Sequence, residues 1–509
     1  MGRKSFTGSA QYLLGIDSGL TVTKVVVFDT QGREIGSGKV RIQPNSPFPR
    51  WVERDMQTVW EACQQAICTA LEEAGVTGED IVAVGVTGHG DGLYLIDEYG
   101  SPVRPAILSL DTRAYEVVER WRQISVLDRA LSLTGQQPYA AAPASLLAWL
   151  AQHEPETLAH ARWVFSCKDW IRYKLTGEVA TDPTEASVSF TDVRTQQYSS
   201  AAFELFGLAD IEEKVPPIIG SATVAGTVTS QAAQLTGLRP GTPVVAGLHD
   251  VDACAIGTGC SQPGQLSMTA GTFSINQVIS NEPILDARWA CRNFIYPGQW
   301  MNMSISPASA TNLDWFLREL CQAEVERAEQ TGTSVFEVVN REVVAVMQED
   351  SRVLFLPFIY GSPHGNQASA CFFGLRGWHT RGHMLRAIFE GVAFNHKTHI
   401  DALRSAFMVT EVRVTGGGSR SETWNQIFAD SFGLPVVTTE AQEAGALGTA
   451  ICAGIGAGIY DSLEEAIGCT VRHVRTYEPD PRGQARLASA YQLYRELIQA
   501  LEPVWSRVE

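Results

Sequence analysis

The apolar positions of this chain fall into two successive series, each beginning with a strand, a short polar turn and a returning strand. In the first, an apolar run at residues 12–16 and a β-branched run at 25–28 flank the polar stretch 17–24. The turn Asp29-Thr30-Gln31-Gly32 then leads into a third strand at 33–40. Met56, Val59, Trp60, Cys63, Ile67, Ala70, Leu71 and Ala74 recur at helical spacing, with Asp55 near the start and Gly75 just past the end, which predicts an amphipathic helix. A buried strand at 81–86 stops at Thr87-Gly88-His89-Gly90-Asp91-Gly92. Residues 145–150, 164–175 and 201–208 read as helical or mixed cap elements, and the apolar run beginning at Val244 delivers Asp250 to its end, ahead of a small-residue helix at 253–259.

The second series replays the first. Residues 265–279 again give a strand, a small-residue turn (Thr269-Ala270-Gly271-Thr272) and an apolar return. A helix from 310, a strand at 353–356, a long helix at 381–403, a strand at 412–414 and a helix at 422–432 follow, with a small-residue helix at 443–450. Repetition on this scale predicts a duplicated fold of mixed sheets covered by helices, an α/β protein.

Length agrees, since 509 residues exceed what one core supports and imply two domains of about 250 residues. With 45% hydrophobic and 19% charged residues the chain is of ordinary soluble globular type. Its 39 basic and 56 acidic residues give a net charge of −17, which disfavours nucleic acid or an anionic membrane as partner. Any anionic ligand must be held by local backbone amides and a few cations. The ten cysteines include no CxxC pair and sit mostly in apolar runs, as buried thiols in a reducing cytosol do. The first ten residues, MGRKSFTGSA, lack the apolar core of a signal peptide, Phe6 breaks a myristoylation pattern, and no apolar run approaches 18 residues, so a cytoplasmic protein is expected.

Candidate chemistry gathers at the strand ends. The first hairpin tip offers Asp17, Gly19, the hydroxyls of Ser18, Thr21 and Thr23, and Lys24. Amides and hydroxyls in such a turn can cradle a phosphate while the carboxylate holds hydrated Mg²⁺; the plainer reading is a simple polar turn. Two such tips facing each other across a cleft would clamp a nucleotide. On the loop after the 81–86 strand, His89 and Asp91 are displayed among three glycines and suit a polyhydroxylated ligand. Trp51 beside Glu53 offers a stacking face with a carboxylate, and Asp111 and Arg113 end the apolar stretch 106–110. Asp250 is placed either as a general base or as a helix N-cap. The glycines of Thr415-Gly416-Gly417-Gly418-Ser419 let a base or ribose approach a helix N-terminus without Cβ interference.

The segment Cys167-Lys168-Asp169-Trp170-Ile171-Arg172-Tyr173-Lys174-Leu175-Thr176-Gly177, and Gly374-Leu375-Arg376-Gly377 through His383-Met384-Leu385-Arg386-Ala387-Ile388-Phe389-Glu390-Gly391, resemble in order the two signatures of the FGGY carbohydrate kinase family, within the sugar kinase, Hsp70 and actin superfamily. The resemblance implies a duplicated ribonuclease H-like fold with two domains around a central cleft, placed here at residues 11–252 and 253–500. It implies ATP and Mg²⁺, with Asp17, Gly19, Thr21 and Lys24 at the first phosphate and metal site and Gly271 and Thr272 at the second. Gly416, Gly417, Gly418, Ser419 and Asn425 would line the adenosine pocket. Asp250 would be the catalytic aspartate and share the metal with Asp17, and the sugar would meet Trp51, Glu53, His89, Asp91, Asp111 and Asp250.

Xylulose kinases usually carry Gly-Gln-Met-His-Gly where this chain has Gly88-His89-Gly90-Asp91-Gly92, a carboxylate in place of an imidazole. That form looks closer to the L-xylulose and erythritol kinase branches. The expected activity is phosphorylation of a primary hydroxyl of a pentulose, with an erythritol- or glycerol-type polyol kinase as the alternative and, from another class, a non-catalytic sugar sensor or actin-like ATPase. The expected partners are a small sugar or polyol and ATP, with a homodimer as a family-level expectation.

Overall fold

The computed structural model describes residues 11–365 and 367–507; the N-terminal stretch on which the signal-peptide and myristoylation readings rest lies outside the described residues. The chain divides into two compact units, one formed by residues up to 261 with 279–302 and 443–472, the other by 262–278, 303–442 and the segment from 473 onward.

In the first unit β1 (Tyr12–Ser18), β2 (Val22–Asp29), β3 (Glu34–Arg41), β4 (Ile81–Gly88), β5 (Val224–Thr227) and β6 (Pro243–Val245) form one sheet in the order β3-β2-β1-β4-β6-β5. β1 runs antiparallel to β2, with Asp17 opposite Lys24, and parallel to β4, with Asp17 beside Thr87. Helix α1 (Met56–Ala74) starts where the Asp55 carboxylate accepts the Thr58 amide and stops at Gly75, whose φ of 64° an L-side chain rarely adopts. Its buried stripe of Val59, Trp60, Cys63 and Ile67 joins the core of Leu14, Ile16, Val25 and Val84 from the sheet, so the helical spacing read from sequence is the face that packs.

Two elements begin elsewhere than expected. The stretch 164–175 divides into a short strand, Trp163–Phe165, and helix α2 (Cys167–Thr176). Ser166 interrupts it: its hydroxyl accepts the Asp169 amide in a capping box, which fixes the helix start. The helix expected at 253 starts three residues earlier, as α3 (Asp250–Gly257), so Asp250 is its first residue and not its N-cap.

The second unit contains β7 (Gln265–Ala270) and most of β8 (Ser274–Ser280) and β10 (Trp300–Ser306), numbered so because β9 (Ala290–Asn293) belongs to the first unit. After helix α4 (Arg381–Arg404) come β11 (Glu411–Thr415), helix α5 (Glu422–Phe432), β12 (Val436–Thr439) and β13 (His473–Tyr477), while helix α6 (Ala444–Gly456), between the last two in the chain, belongs to the first unit. The strand order β10-β8-β7-β11-β12-β13 repeats that of the first sheet. The senses repeat as well: an antiparallel hairpin, then two parallel neighbours, then an antiparallel edge. This is the duplication the repeated pattern predicts.

Helix α6 packs on the first sheet at backbone distance. A Cβ on Gly15 of β1 would stand 2.1 Å from the carbonyl oxygen of Ala446, and one on Gly85 of β4 would stand 2.1 Å from that of Thr449. α6 meets α3 in the same way, a Cβ on Gly448 falling 1.9 Å from the Ala253 oxygen. Small residues here are a steric requirement, and through them β1, β4 and α3 are held in one rigid arrangement with Asp17 and Asp250 at their ends. Among the described residues no helix is long and apolar enough to cross a membrane.

Candidate active site

The first hairpin tip is ordered from beneath. Ser18 and Thr23 are buried and their hydroxyls bond each other at 2.9 Å, so neither is offered to a ligand. Gly19 donates its amide to the Val22 carbonyl at 3.0 Å, closing the turn and leaving Thr21 exposed. The buried guanidinium of Arg54 bonds the carbonyl oxygens of Gly19 and Leu20. Asp17 ends β1 where burial pushes its carboxyl above the ordinary range, Lys24 opposing and Glu443 adding to the shift. The Lys24 ammonium is not free: its Nζ lies 2.8 Å from Glu443, which also holds Lys39 at 2.7 Å.

Asp250 stands at the first turn of α3 with its side chain about one-third exposed, 35%. Although solvent touches it, surrounding protein strips most of its hydration; this desolvation, with the charges of Asp17 and Asp91, lifts its carboxyl to about 7 against the pull of the Val251 and Gly90 amides. A carboxylate so poised suits proton abstraction near neutrality. The start of α3 is anchored by the signature helix and its sequel: the His249 amide donates to Thr184 Oγ1 at 2.8 Å, and that hydroxyl donates to Asp182 at 2.7 Å. Asp182 pairs at 3.0 Å with the buried ammonium of Lys168, which also pairs with Asp169 at 2.8 Å.

The loop after β4 passes so close to His249 that a Cβ on Gly90 would fall 1.8 Å from the imidazole Nε2. Asp91 takes a left-handed φ of 59°, uncommon for a residue with a side chain. Its buried Oδ1 makes no hydrogen bond among the described residues and lies 3.5 Å from Nη2 of Arg292. Burial, and after it the charge of Asp91, holds the pKa of the Tyr139 phenol well above the usual value, which places that phenol near Asp91. Arg292, on β9 and buried, donates from Nε to Gln136 at 2.9 Å and from Nη1 to His249 Nε2 at 3.3 Å. Burial, Arg292 and Lys168 hold the His249 imidazole neutral, its pKa well below the usual value.

Other expected sugar contacts are already committed inside the protein. His89 is buried with Nε2 2.9 Å from the Tyr94 hydroxyl, and burial, aided by Arg54, pushes its pKa down to about 3. It is turned into the core while Asp91, two residues on, faces Arg292. Asp111 is fully buried and both its oxygens accept hydrogen bonds from Arg113, one of them also taking the Val52 amide at 2.7 Å. Glu53 is held by Arg104 and, at 2.7 Å, by Arg113. The Arg113 guanidinium lies 3.8 Å over the ring of Trp51, so one face of that indole is covered. Tyr139, Arg292 and His249, which the structure brings to Asp91 and Asp250, escaped the sequence reading.

In the second unit the Gly271 carbonyl accepts the Ala310 amide at 3.0 Å and that of Thr272 accepts the Thr311 hydroxyl at 3.2 Å, fixing the turn. Gly416 has φ 89° and passes so near β7 that a Cβ would stand 2.8 Å from the Ala270 oxygen. Ser419 Oγ donates to the Gly416 carbonyl at 2.7 Å, and Asn425 Nδ2 to that of Ser419 at 2.7 Å. The Asn425 Oδ1 is buried with no partner among the described residues.

Residues 12–257 match the FGGY family of carbohydrate kinases, N-terminal domain, and residues 266–457 match its C-terminal domain. The chain is 35% identical over 504 residues to the L-xylulose/3-keto-L-gulonate kinase of Escherichia coli K12, covering 98% of this chain and 99% of that protein. It is 33% identical to a probable L-xylulose kinase of Pasteurella multocida, over 96% and 99% of the two chains. The crystal structure of xylulose kinase from Rhodospirillum rubrum superposes with a TM-score of 0.87 at 26% identity, covering 98% of this chain and 100% of that one.

Proposed function

Since the chain belongs to the FGGY family of carbohydrate kinases, we propose that it transfers the γ-phosphoryl group of ATP to a primary hydroxyl of a pentulose, with L-xylulose as the first acceptor to consider and Asp250 as the base. The observation that carries the reading is the placement of the Asp250 carboxyl at the first turn of α3, partly open to solvent, where desolvation and the charges of Asp17 and Asp91 lift it to about 7. Its oxygen accepts the hydroxyl proton as the new oxygen–phosphorus bond forms and the bond to ADP breaks. General base catalysis of this kind contributes about 10²- to 10⁴-fold, with alignment and charge neutralisation supplying the rest.

Asp91, its unpartnered Oδ1 beside Arg292, is assigned to a sugar hydroxyl together with Tyr139. Trp51, with Arg113 over its ring and Phe48 and Trp149 edge-on beside it, stays assigned to the sugar, whereas Glu53 and Asp111 act through Arg113 and His89 fixes the loop. Gly19 and Thr21, with Gly271 and Thr272, are assigned to ATP phosphates, and Gly416 to Ser419 with Asn425 to adenosine; Lys24 serves there only with Glu443 beside it. The donor set fits Mg²⁺: the charge of Asp17 pushes up the Asp250 carboxyl, a repulsion that a divalent cation between the two carboxylates would relieve. Mg²⁺ held by these two carboxylates would supply neutralisation of phosphate charge. A cytoplasmic location and a homodimer complete the reading, the former in keeping with the free cysteines.

The test joins a coupled-assay screen over D- and L-xylulose, D- and L-ribulose, erythritol, xylitol and glycerol to the Asp250→Ala variant. Turnover with a pentulose that vanishes in the variant while ATP binding persists is the expected result. Full turnover by the variant removes Asp250 from the chemistry.

A further inference from the structure

The turn Gly271-Thr272-Phe273 between β7 and β8 is pinned at its carbonyls: that of Gly271 accepts the Ala310 amide at 3.0 Å and that of Thr272 the Thr311 hydroxyl at 3.2 Å. In a trans peptide the N–H points away from the C=O, so this pinning turns the amides of Thr272 and Phe273 to the opposite side. Thr272 is exposed, whereas Ser274, where β8 begins, is fully buried. Whatever fixes residues 310 and 311 therefore decides where those amides aim.

A buried polar cluster of the second unit, so far without a part in the mechanism, reaches both limbs of the turn. At its centre His396, on α4 and without exposed surface, lies with Nε2 3.2 Å from the hydroxyl of Ser309, the residue before Ala310. Its Nδ1 lies 2.9 Å from Asn276 Oδ1 and 3.0 Å from Ser274 Oγ. Asn276 Nδ2 donates to the Ser304 carbonyl at 3.4 Å and to Ser274 Oγ at 3.1 Å, so its acceptor oxygen faces the ring and Nδ1 is the donor. Burial, with His399 adding to it, pushes the His396 pKa down to about 3, which leaves Nε2 bare to accept from the Ser309 hydroxyl. One turn further along α4, His399 bonds the hydroxyls of Ser304 and Ser306 at 2.8 and 2.9 Å, tying down the end of β10 that leads to Ser309. Buried polar groups cost stability unless all are paired, so such a cluster favours one arrangement of the segments that it joins.

We propose that His396 is a positioning residue for phosphate binding: by tying Ser309 to Ser274 and Asn276 it fixes residues 310 and 311 against the turn, and so aims the Thr272 and Phe273 amides at the terminal phosphates of ATP. It acts through Ser309 on a ligand that it does not touch. The proposal rests on the assignment of Gly271 and Thr272 to ATP phosphates, and its test has one arm that does not.

That arm is amide hydrogen exchange in the enzyme without ligand. Ser309→Ala, which deletes a single hydroxyl, is expected to speed exchange across residues 271–275 about tenfold and to leave β11 as in the parent. Exchange there that matches the parent overturns the clamp whatever the turn binds. Calorimetry then compares a non-hydrolysable ATP analogue with AMP. In Ser309→Ala the Kd of the analogue should rise about tenfold while that of AMP, which lacks the terminal phosphates, stays in place. The same substitution added to His396→Phe should change neither Kd further, since its partner is already gone. A full additional loss there, or equal losses for the analogue and AMP in Ser309→Ala, overturns the positioning role. Faster exchange with both affinities unmoved would instead remove the turn from phosphate binding, overturning that assignment and the aiming role with it.

Discussion

Arg113 grips the carboxylate of Asp111 with Nε 3.0 Å from both oxygens and Nη2 2.8 Å from Oδ2, and both side chains are wholly buried. An aspartate so enclosed serves the fold first. Asp111→Asn leaves a buried guanidinium with only Glu53 to answer its charge, and a stability loss of about 3 kcal/mol or more is expected, read as a lower urea midpoint. The KM for sugar at low temperature should move little. A variant as stable as the parent but with a greatly raised sugar KM would return Asp111 to direct contact.

The acid limb of the rate profile should report Asp250. Its carboxyl must be ionised to accept a proton, and its pKa stands at about 7. Measured as kcat/KM for the sugar at saturating MgATP, activity should be level above that pH and fall about tenfold per unit below it. Asp91→Asn removes a negative charge that raises the Asp250 pKa, so the limb should move to lower pH, whatever the change in sugar affinity. A limb that stays in place would mean that Asp91 does not act on the base.

Asn425 carries a buried acceptor with no partner among the described residues, while its amide nitrogen holds the Ser419 carbonyl. Asn425→Ala is expected to raise the KM for ATP about tenfold, the scale of one hydrogen bond, and to leave the KM for sugar nearly unchanged. The opposite pattern would detach the Gly416 to Ser419 loop from the nucleotide.

The backbone contact of α6 with the first sheet leaves no room for a methyl group. Gly85→Ala should destabilise the protein by about 1–3 kcal/mol, seen as a fall of several degrees in Tm. The alanine at a neighbouring strand position, Ala83, is already accommodated without exposure, so the effect belongs to the contact and not to glycine loss in a strand. An unchanged Tm would show that the helix can lift away.

Much of the fold was legible because its signals are local. The α1 stripe, the two hairpins and the glycines after β4 and β11 each follow from spacing or turn chemistry within a few residues. The surroundings of Asp250 were legible in part: the strand read from Val244 ends at Val245, and Asp250 opens the small-residue helix instead of ending the strand. Arg292 was not: it lies on a four-residue strand more than forty positions from His249, and nothing near Ala290–Asn293 marks it as belonging beside the loop of Asp91. Nor could spacing reveal that Glu53 and Asp111 would be claimed by arginines or that His89 would turn toward Tyr94. Such commitments are made by tertiary contacts across tens of residues, which periodicity does not record.

The placement of α6 has a consequence for how the protein is made. The sheet carrying Asp17 lies against a helix whose residues emerge from the ribosome some four hundred positions after β1. Until then the glycine surface of β1 and β4 has no backbone to rest on, and the nascent first unit must persist incomplete while the second is being synthesised. A fragment truncated before residue 443 should accordingly need chaperone protection or aggregate.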